Sequence, residues 1–331
     1  MHVLVTGGAG YVGSSVVRGL VDAGHRVSVV DDLSSGHRAA LPAEVELTLG
    51  RCADAKALDR IHDEAAVDGV MHMAAACSVG ESVAHPDRYY RANLRESIDL
   101  LDWMVARGVG WIIHSSTCSV YGVPERQPID ETTCPRPINA YGATKLAVDR
   151  AIIDYAGAFA LSGTSLRYFN AAGAQSDGTL GEDKTPASNL IPRVFAVALG
   201  QAEALEVLGD DYDSPDGTGV RDYVHVADLA QAHLAAMNRL ADGHAGDVFN
   251  LGTGTGSSVL EVVETARAIT GHPIPTVTRP RRPGDPPALV AASDRARREL
   301  GWTPQRSDLP TILADAWAWH RARPDGYGEG G

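Results

Sequence analysis

The sequence predicts an α/β protein with a Rossmann-like, doubly wound parallel sheet and a smaller C-terminal substrate lobe. The first observation is a regular alternation of short apolar runs with amphipathic segments over the first half of the 331 residues. Such alternation is typical of repeated strand–helix units around a parallel sheet. The second observation is a glycine-rich turn that joins the first apolar run to the first helical segment.

The apolar runs predict the strands and the segments between them predict the helices. The predicted strands cover residues 3–6, 26–30, 45–49, 70–73, 111–115 and 164–168, and the predicted helices cover 14–23, 55–65, 87–106 and 139–160. Ligands of such folds bind at the carboxyl ends of the strands. Asp31, Ala74, Thr117 and Asn170 each follow a predicted strand, so we expect them at one edge of the sheet.

The glycine-rich turn has the spacing of a dinucleotide-binding turn. Gly7, Gly10 and Gly13 would permit the tight turn, the close approach of the backbone to a pyrophosphate, and helix–sheet packing. The N-terminus of the next helix would then face the phosphates. Asp31 follows the next predicted strand, where a carboxylate can bond a ribose diol and would repel a 2′-phosphate. The turn therefore predicts NAD rather than NADP.

Tyr141 and Lys145 form the second candidate site. If their segment is helical, the four-residue spacing places both side chains on one face, one turn apart. An ammonium near a phenol stabilises the phenolate, which can then accept the proton of a substrate hydroxyl while a hydride leaves the same carbon. The alternative is a surface tyrosine and lysine on an amphipathic helix.

After Asn170 the alternation loosens, and the second half is expected to form the substrate lobe. Strands are predicted at 221–225 and 248–251, helices at 190–199, 228–240, 259–269 and 309–320, and loops at 173–188, 210–219 and 279–287. We expect residues 1–170 to bind the cofactor and residues 171–331 to bind the substrate, with segments near 221–251 returning to the first domain.

Composition argues against several classes of protein. The net charge of −13 disfavours nonspecific binding to nucleic acid or anionic membranes. The four cysteines have no Cys-x-x-Cys spacing, so neither a zinc site nor a disulfide framework is predicted. The N-terminus lacks the features of a signal peptide, and no apolar run reaches the length of a membrane span. We therefore expect a cytoplasmic protein without a metal.

These segments together resemble the UDP-glucose 4-epimerase family of extended short-chain dehydrogenases/reductases. The matching stretches are residues 5–13, 79–83, 141–145, 166–170, 189–192, 216–226, 250–252 and 281–285. They occur in order along nearly the whole chain, and the stretch 216–226 is especially characteristic. The resemblance implies interconversion of UDP-galactose and UDP-glucose through a transient 4-keto sugar, with bound NAD as hydride acceptor and donor.

The resemblance also implies the site residues. It gives Tyr141 as the base, Lys145 as the group that lowers the pKa of that tyrosine and contacts the nicotinamide ribose, and Thr117 as the neighbouring hydroxyl. The remaining NAD contacts implied are Gly7, Gly10, Tyr11, Val12, Gly13, Asp31, Asp32, Ala74, Ala75, Asn93, Ser115 and Tyr168. The remaining UDP-sugar contacts implied are Asn170, Asn189, Leu190, Leu205, Val207, Arg221, Arg282, Asp285 and Leu289.

Three positions depart from the family pattern. Arg51 stands where the family has an acid near adenine, and Cys77 stands where it has a lysine near the nicotinamide, so we expect weaker retention of NAD. Leu289 stands at the position that gates the sugar pocket. Because leucine is smaller than the tyrosine found there in some members, we expect some tolerance of N-acetylated sugars.

The sequence leaves alternatives open. The substrate could be another UDP-sugar, namely a UDP-N-acetylhexosamine, a UDP-pentose or a UDP-uronate, or the chain could be a noncatalytic NAD-binding sensor. A related dehydratase needs an acid pair after Thr117, which Cys118 and Ser119 do not supply. Arg221 could instead form a salt bridge with Asp222 or Asp285. We expect a homodimer that pairs the long helices 87–106 and 139–160.

Overall fold

The structure is a computed structural model that describes residues 1–183, 187–281 and 285–328. Its strands are β1 (His2–Thr6), β2 (Arg26–Asp31), β3 (Glu46–Leu49), β4 (Gly69–His72), β5 (Trp111–Thr117), β6 (Ser162–Tyr168), β7 (Asn170–Ala172), β8 (Leu205–Leu208), β9 (Val220–Arg221), β10 (Tyr223–His225), β11 (Val248–Leu251), β12 (Ser257–Ser258), β13 (Thr276–Arg279) and β14 (Ala288–Leu289).

The helices are interspersed with the strands along the described chain. They are α1 (Tyr11–Asp22), α2 (Ala55–Glu64), α3 (Val79–Ala84), α4 (Pro86–Tyr89), α5 (Glu96–Arg107), α6 (Ala140–Ala158), α7 (Leu190–Ala198), α8 (Val226–Ala241), α9 (Val259–Thr270), α10 (Asp294–Glu299) and α11 (Leu309–Ala322). None of these described helices combines the length and apolar character that a membrane span needs.

The predicted parallel sheet is confirmed. Seven strands pair in the order β11-β6-β5-β4-β1-β2-β3, and each neighbouring pair is parallel. The strand order reverses between β1 and β4, which is the switch point at which this topology forms a ligand crevice. The 248–251 segment, expected to return to the first domain, pairs with β6 at the edge of this sheet.

The sheet is covered by helices on both faces. One hydrophobic cluster joins the sheet to α1 and α8, and a second joins the opposite face to α2, α5 and α6. A third cluster, around α7, α9, α11 and β8, forms the core of the second lobe. Since each face of the sheet is covered by its own apolar layer, the carboxyl ends of the strands remain available to build the site.

Two predicted elements are interrupted at places that matter for the site. The predicted helix 87–106 contains a π-helical turn, Tyr90–Arg95, between α4 and α5. Such turns often occur at functional positions. The predicted strand 221–225 is split into β9 and β10 at Asp222, whose buried carboxylate accepts hydrogen bonds from the backbone N–H groups of Thr253, Gly254 and Ala291.

Candidate active site

The carboxyl ends of the sheet strands and the second lobe enclose a cavity of about 1400 Å³. Single-ligand pockets usually have about 300–1,000 Å³, so this cavity has room for a dinucleotide and a second ligand. It is lined by most of the predicted site residues: Gly7, Gly10, Tyr11, Val12, Gly13, Asp31, Asp32, Ala74, Ala75, Ser115, Thr117, Tyr141, Lys145, Tyr168, Asn170, Asn189, Leu190, Arg221, Asp285 and Leu289. The predicted residue Arg282 lies outside the described residues.

The glycine-rich turn is shaped for a close backbone approach. Gly7 has φ +71°, and a Cβ there would lie 2.5 Å from the backbone nitrogen of Ala74. A Cβ on Gly13 would clash with the carbonyl oxygen of Gly7. Gly10 is the N-cap of α1, and among the described residues no side chain caps it. The first N–H groups of α1 are therefore available to phosphate oxygens, as a dinucleotide requires.

Asp31 stands at the carboxyl end of β2 and is held by backbone groups. Its Oδ2 accepts a hydrogen bond from Ala9 N at 2.9 Å, and its Oδ1 accepts one from Leu33 N at 2.8 Å. Burial raises the pKa of Asp31, although these two hydrogen bonds lower it. The carboxylate thus has a fixed orientation at the cavity wall, which suits the recognition of a ribose diol.

Tyr141, Lys145 and Thr117 meet where α6 starts beside the end of β5. Asn139 caps the helix by accepting a hydrogen bond from Gly142 N at 2.8 Å. Lys145 is 3% exposed, and its Nζ donates to the carbonyl oxygen of Ser115 at 2.8 Å. The Tyr141 and Thr117 side chains are hydrogen-bonded to each other. The lysine is therefore held in place at the end of β5, one helical turn after the tyrosine.

The pKa values in this site are set mainly by burial. Burial raises the pKa of Tyr141 well above its usual range, Tyr168 raises it further, and the hydrogen bond with Thr117 lowers it. Burial also lowers the pKa of Lys145 to about 8, against Asp149, which raises it. Desolvation of the phenolate is thus the largest influence on the pKa of Tyr141 in this structure, and a lowering of that pKa by Lys145 stays a prediction.

The second lobe places charged groups at the other end of the cavity. Arg221 donates from its Nη2 to Asp285 Oδ1 at 2.6 Å, and both residues line the cavity. Asn170 has a buried Oδ1 without a hydrogen-bond partner among the described residues. Asn189 donates from its Nδ2 to Glu182 Oε1 at 2.5 Å. Arg221 therefore both forms a salt bridge with Asp285 and lines the ligand cavity.

Leu289 both lines the cavity and packs in the core. Its side chain is 8% exposed and belongs to a buried cluster with Cys118, Tyr121 and Phe169. The backbone around it is held by β14, which pairs with β9 beside Arg221. A change of side-chain size at this position would therefore alter the wall of the cavity directly.

Three predicted contact residues do not line the cavity. Leu205 and Val207 are 1% and 4% exposed and belong to the core of the second lobe, whereas Glu206 and Leu208 of the same strand line the cavity. The Leu205 and Val207 side chains therefore point away from the cavity, because alternate residues of a strand point to opposite faces, and the structure does not support the UDP-sugar contacts predicted for them.

Asn93 is the third of these residues, and it positions the cavity wall from behind. It lies in the π-helical turn, is 2% exposed, and exchanges hydrogen bonds with the backbone of Ala76 at 2.8 and 2.9 Å. Its direct contact with the cofactor is therefore not expected. Ala76 itself lines the cavity.

Arg51 is paired with a carboxylate that comes from a helix distant in the sequence. Arg51 forms a salt bridge with Glu96, the first residue of α5, and Cys52 Sγ donates to the other carboxylate oxygen at 3.2 Å. Arg51, Glu96 and Cys77 all line the cavity. Sequence order gives no sign of this partner because it lies 45 residues further along the chain. Weak retention of NAD stays a prediction.

A buried polar network, not anticipated from the sequence, lies behind the site. Asp149, four positions after the active-site lysine, accepts from Arg167 Nε at 2.9 Å and from Ser116 Oγ at 3.1 Å. Arg167 also donates to the Tyr121 hydroxyl at 3.0 Å, and that hydroxyl donates to Asn250 Oδ1 at 2.7 Å. The network joins α6 to β5, β6 and β11. Within the described residues, no cluster is arranged to hold a metal ion.

A cavity that joins a dinucleotide-binding turn to a Tyr–Lys pair defines a class of NAD-dependent enzymes. Comparison with known proteins agrees with this class. The chain belongs to the NAD-dependent epimerase/dehydratase family, whose model matches residues 3–252. NAD is therefore its cofactor.

The relatives carry a more specific name. The UDP-glucose 4-epimerase of Corynebacterium glutamicum is 49% identical over 98% of this chain and 97% of its own, and that of Streptomyces lividans is 49% identical over 99% and 98%. Among solved structures, the Bifidobacterium longum UDP-glucose 4-epimerase in complex with NAD+ and UDP has a TM-score of 0.94 and 39% identity, with coverage of 99% of this chain and 100% of its own.

Proposed function

We propose that this chain is an isomerase, a UDP-glucose 4-epimerase, that interconverts UDP-galactose and UDP-glucose through a transient 4-keto sugar. The observation that carries the proposal is that the glycine-rich turn, the Tyr141–Lys145 pair and the Arg221–Asp285 pair line one cavity. A dinucleotide and a nucleotide sugar can therefore bind in the same cavity, with the tyrosine hydroxyl between them.

Tyr141 is proposed to take the proton of the sugar O4 and to return it. Since burial disfavours the phenolate, the tyrosine needs groups that favour its charged form. The hydrogen bond with Thr117 and the ammonium of Lys145 supply two of these. Bound NAD supplies the hydride acceptor for C4 and, in its oxidised form, a positive charge inside the buried site.

Arg221 is proposed to bind the diphosphate of the substrate. A guanidinium can donate two parallel hydrogen bonds to phosphate oxygens. Asp285 now occupies part of that donor fork at 2.6 Å, so it fixes the orientation of the arginine and can itself accept from a ribose hydroxyl. Asn170, Asn189 and Leu190 complete the proposed UDP-sugar contacts.

The proposal is tested by incubating the purified protein with UDP-galactose and detecting UDP-glucose through UDP-glucose dehydrogenase. We expect steady formation of UDP-glucose. No product from a protein that retains NAD and binds UDP would favour the NAD-binding sensor instead. A parallel panel of UDP-N-acetylgalactosamine, a UDP-pentose and a UDP-uronate tests the alternative substrates.

We expect slow turnover of UDP-N-acetylgalactosamine by the wild type, and Leu289→Tyr should reduce it. The larger side chain narrows the pocket beside this wall. An apolar pocket discriminates between substrates that differ in size by about 1–3 kcal/mol, which is roughly 10- to 200-fold in rate. UDP-galactose turnover should change much less. Leu289→Met keeps the side-chain volume and serves as the control. Equal rates in wild type and Leu289→Tyr, or no rate in the wild type, would remove Leu289 as the gate.

We also propose that the protein acts in the cytoplasm as a homodimer, without a nucleic-acid or membrane partner. Most large apolar residues of the two helices are not free for an interface, because Leu100, Leu101, Trp103, Met104 and Ile152 are all buried in the fold. Ile153 on α6 and Phe159, the residue directly after that helix, remain about half exposed, at 50% and 49%. Small-angle scattering at micromolar concentration should give twice the mass of one chain, and a monomer mass would reject the dimer.

A further inference from the structure

The segment that follows α11 contacts two loops that belong to opposite sides of the cavity. One is the loop after β2, which includes His37, and the other follows β7 and includes Asp183; both residues line the cavity. The Tyr327 ring stacks on His37 with ring centroids 4.9 Å apart, and Tyr327 N donates to Asp183 Oδ2 at 2.8 Å. A single residue near the C-terminus therefore ties the two loops together.

The two loops also contact each other directly. His37 Nε2 lies 3.5 Å from Asp183 Oδ2 and 3.4 Å from the carbonyl oxygen of the same residue. His37 N donates to Ala9 O in the glycine-rich turn at 2.9 Å. This places the contact beside Asp31, at the end of the cavity where the cofactor-binding groups lie.

Further contacts hold the segment after α11 in this position. Gly181 N donates to the Tyr327 hydroxyl at 3.2 Å, and the Trp319 ring packs edge-on against the tyrosine with centroids 5.5 Å apart. Gln201 Nε2 donates to the carbonyl oxygen of Pro324 at 2.9 Å. Tyr327 is thus supported from α11 as well as from the loop that it holds.

Gly326 makes the contact possible. Its φ of +69° lies in the left-handed region that favours glycine, and a Cβ there would clash with the carboxylate of Asp183. Gly328, two residues later, also has a positive φ of +80°, but a Cβ there would meet nothing within 4 Å among the described residues. Only Gly326 therefore combines the backbone conformation with a close approach to the loop.

We propose that His37, Asp183, Gly326 and Tyr327 form a latch that closes the cofactor end of the cavity and slows the exchange of NAD. On this proposal, a bound dinucleotide lying along the glycine-rich turn and Asp31 leaves when the loops on either side separate. Separation breaks the stacking, the hydrogen bond and the His37–Asp183 contact together. Gly326 and Tyr327 are not among the described residues that line the cavity, so their effect is expected on exchange and not on the chemical step.

The latch is tested by measuring NAD release from the purified holoenzyme without any sugar. Released NAD is reduced in solution by added alcohol dehydrogenase and ethanol, and the NADH fluorescence is followed in time. Tyr327→Ala and Gly326→Ala should release NAD about tenfold faster than wild type, the factor that corresponds to about 1.4 kcal/mol. Tyr327→Phe keeps the stacking and the backbone bond and should stay close to wild type. Gly328→Ala is the matched control.

The result expected is faster release in the two latch variants, with wild-type release in Gly328→Ala and unchanged kcat at saturating added NAD. Equal release in wild type and both latch variants would overturn the proposal, as would equal acceleration in Gly328→Ala. A lower kcat with unchanged NAD release would instead assign Tyr327 a role in the sugar lobe. Because release is measured without sugar, failure of the proposed epimerase activity would appear separately, in the UDP-galactose assay.

Discussion

Tyr141→Phe is expected to lower kcat by at least about 10²–10⁴-fold, the usual contribution of a positioned acid–base group. The phenyl ring keeps the packing of the site, so folding and NAD binding should be retained. Only the proton acceptor for the sugar O4 is lost. The measurement is the rate of UDP-glucose formation from UDP-galactose, with circular dichroism and bound NAD as checks of integrity. Tyr90→Phe, on a tyrosine that is 47% exposed, is the control.

Lys145→Met tests the positive charge of Lys145, because methionine is also unbranched but carries no charge. Removing the ammonium disfavours the phenolate of Tyr141 further, so the residual activity should require a higher pH than wild type. The direction follows because burial already raises the pKa of Tyr141, and a cation one helical turn away favours the phenolate. Near-wild-type rates in Tyr141→Phe, or an unchanged pH profile in Lys145→Met, would reject the two residues as one catalytic unit.

Asp149→Leu is expected to lower the free energy of unfolding by about 3–5 kcal/mol, the range measured when one partner of a buried ion pair is removed. Asp149 and Arg167 have side chains that are 1% and 6% exposed, and Arg167 cannot lose its proton to relieve the loss. Burial raises the pKa of Asp149 despite the arginine, so the carboxylate is itself costly to bury. The predicted loss therefore reflects the guanidinium left unpaired.

Urea denaturation measures this loss, and the exposed pair Arg279–Glu206 gives the comparison. Its side chains are 54% and 47% exposed at a distance of 3.0 Å, so Glu206→Gln should change the unfolding free energy by less than about 1 kcal/mol. The double variant Asp149→Leu/Arg167→Met should recover part of the loss, because no buried guanidinium is then left without a carboxylate. A double variant that loses the sum of both single changes would show that the two side chains act independently.

Much of the fold could be predicted because the central sheet obeys simple rules. Most of its strands are short and contain an apolar run, and several are followed by a helix or turn with recognisable chemistry, such as the run from β1 through the glycines to α1. The strands that were missed lack that signal. All four residues of β13 are exposed. In its partner strand β8, the exposed Glu206 lies between the buried residues Leu205 and Val207.

The candidate site could be predicted where local spacing determines geometry, as for Tyr141 and Lys145 one turn apart. Contacts between distant segments could not. Glu96 reaches Arg51, and Tyr327 reaches His37, only through the tertiary fold. The effect of burial on the pKa of Tyr141 could not be predicted either, since spacing places an ammonium one turn away but does not show how deeply the phenol is buried.

The most direct test of the account uses UDP-galactose that carries deuterium at C4. If the hydride leaves C4 for the bound cofactor and returns to the opposite face of the same sugar, the UDP-glucose formed should retain the deuterium at C4. Mass spectrometry of the product, or its proton NMR spectrum, measures the retained label. Loss of the deuterium to water, with solvent hydrogen appearing at C4, would contradict the hydride mechanism on which the proposed function rests.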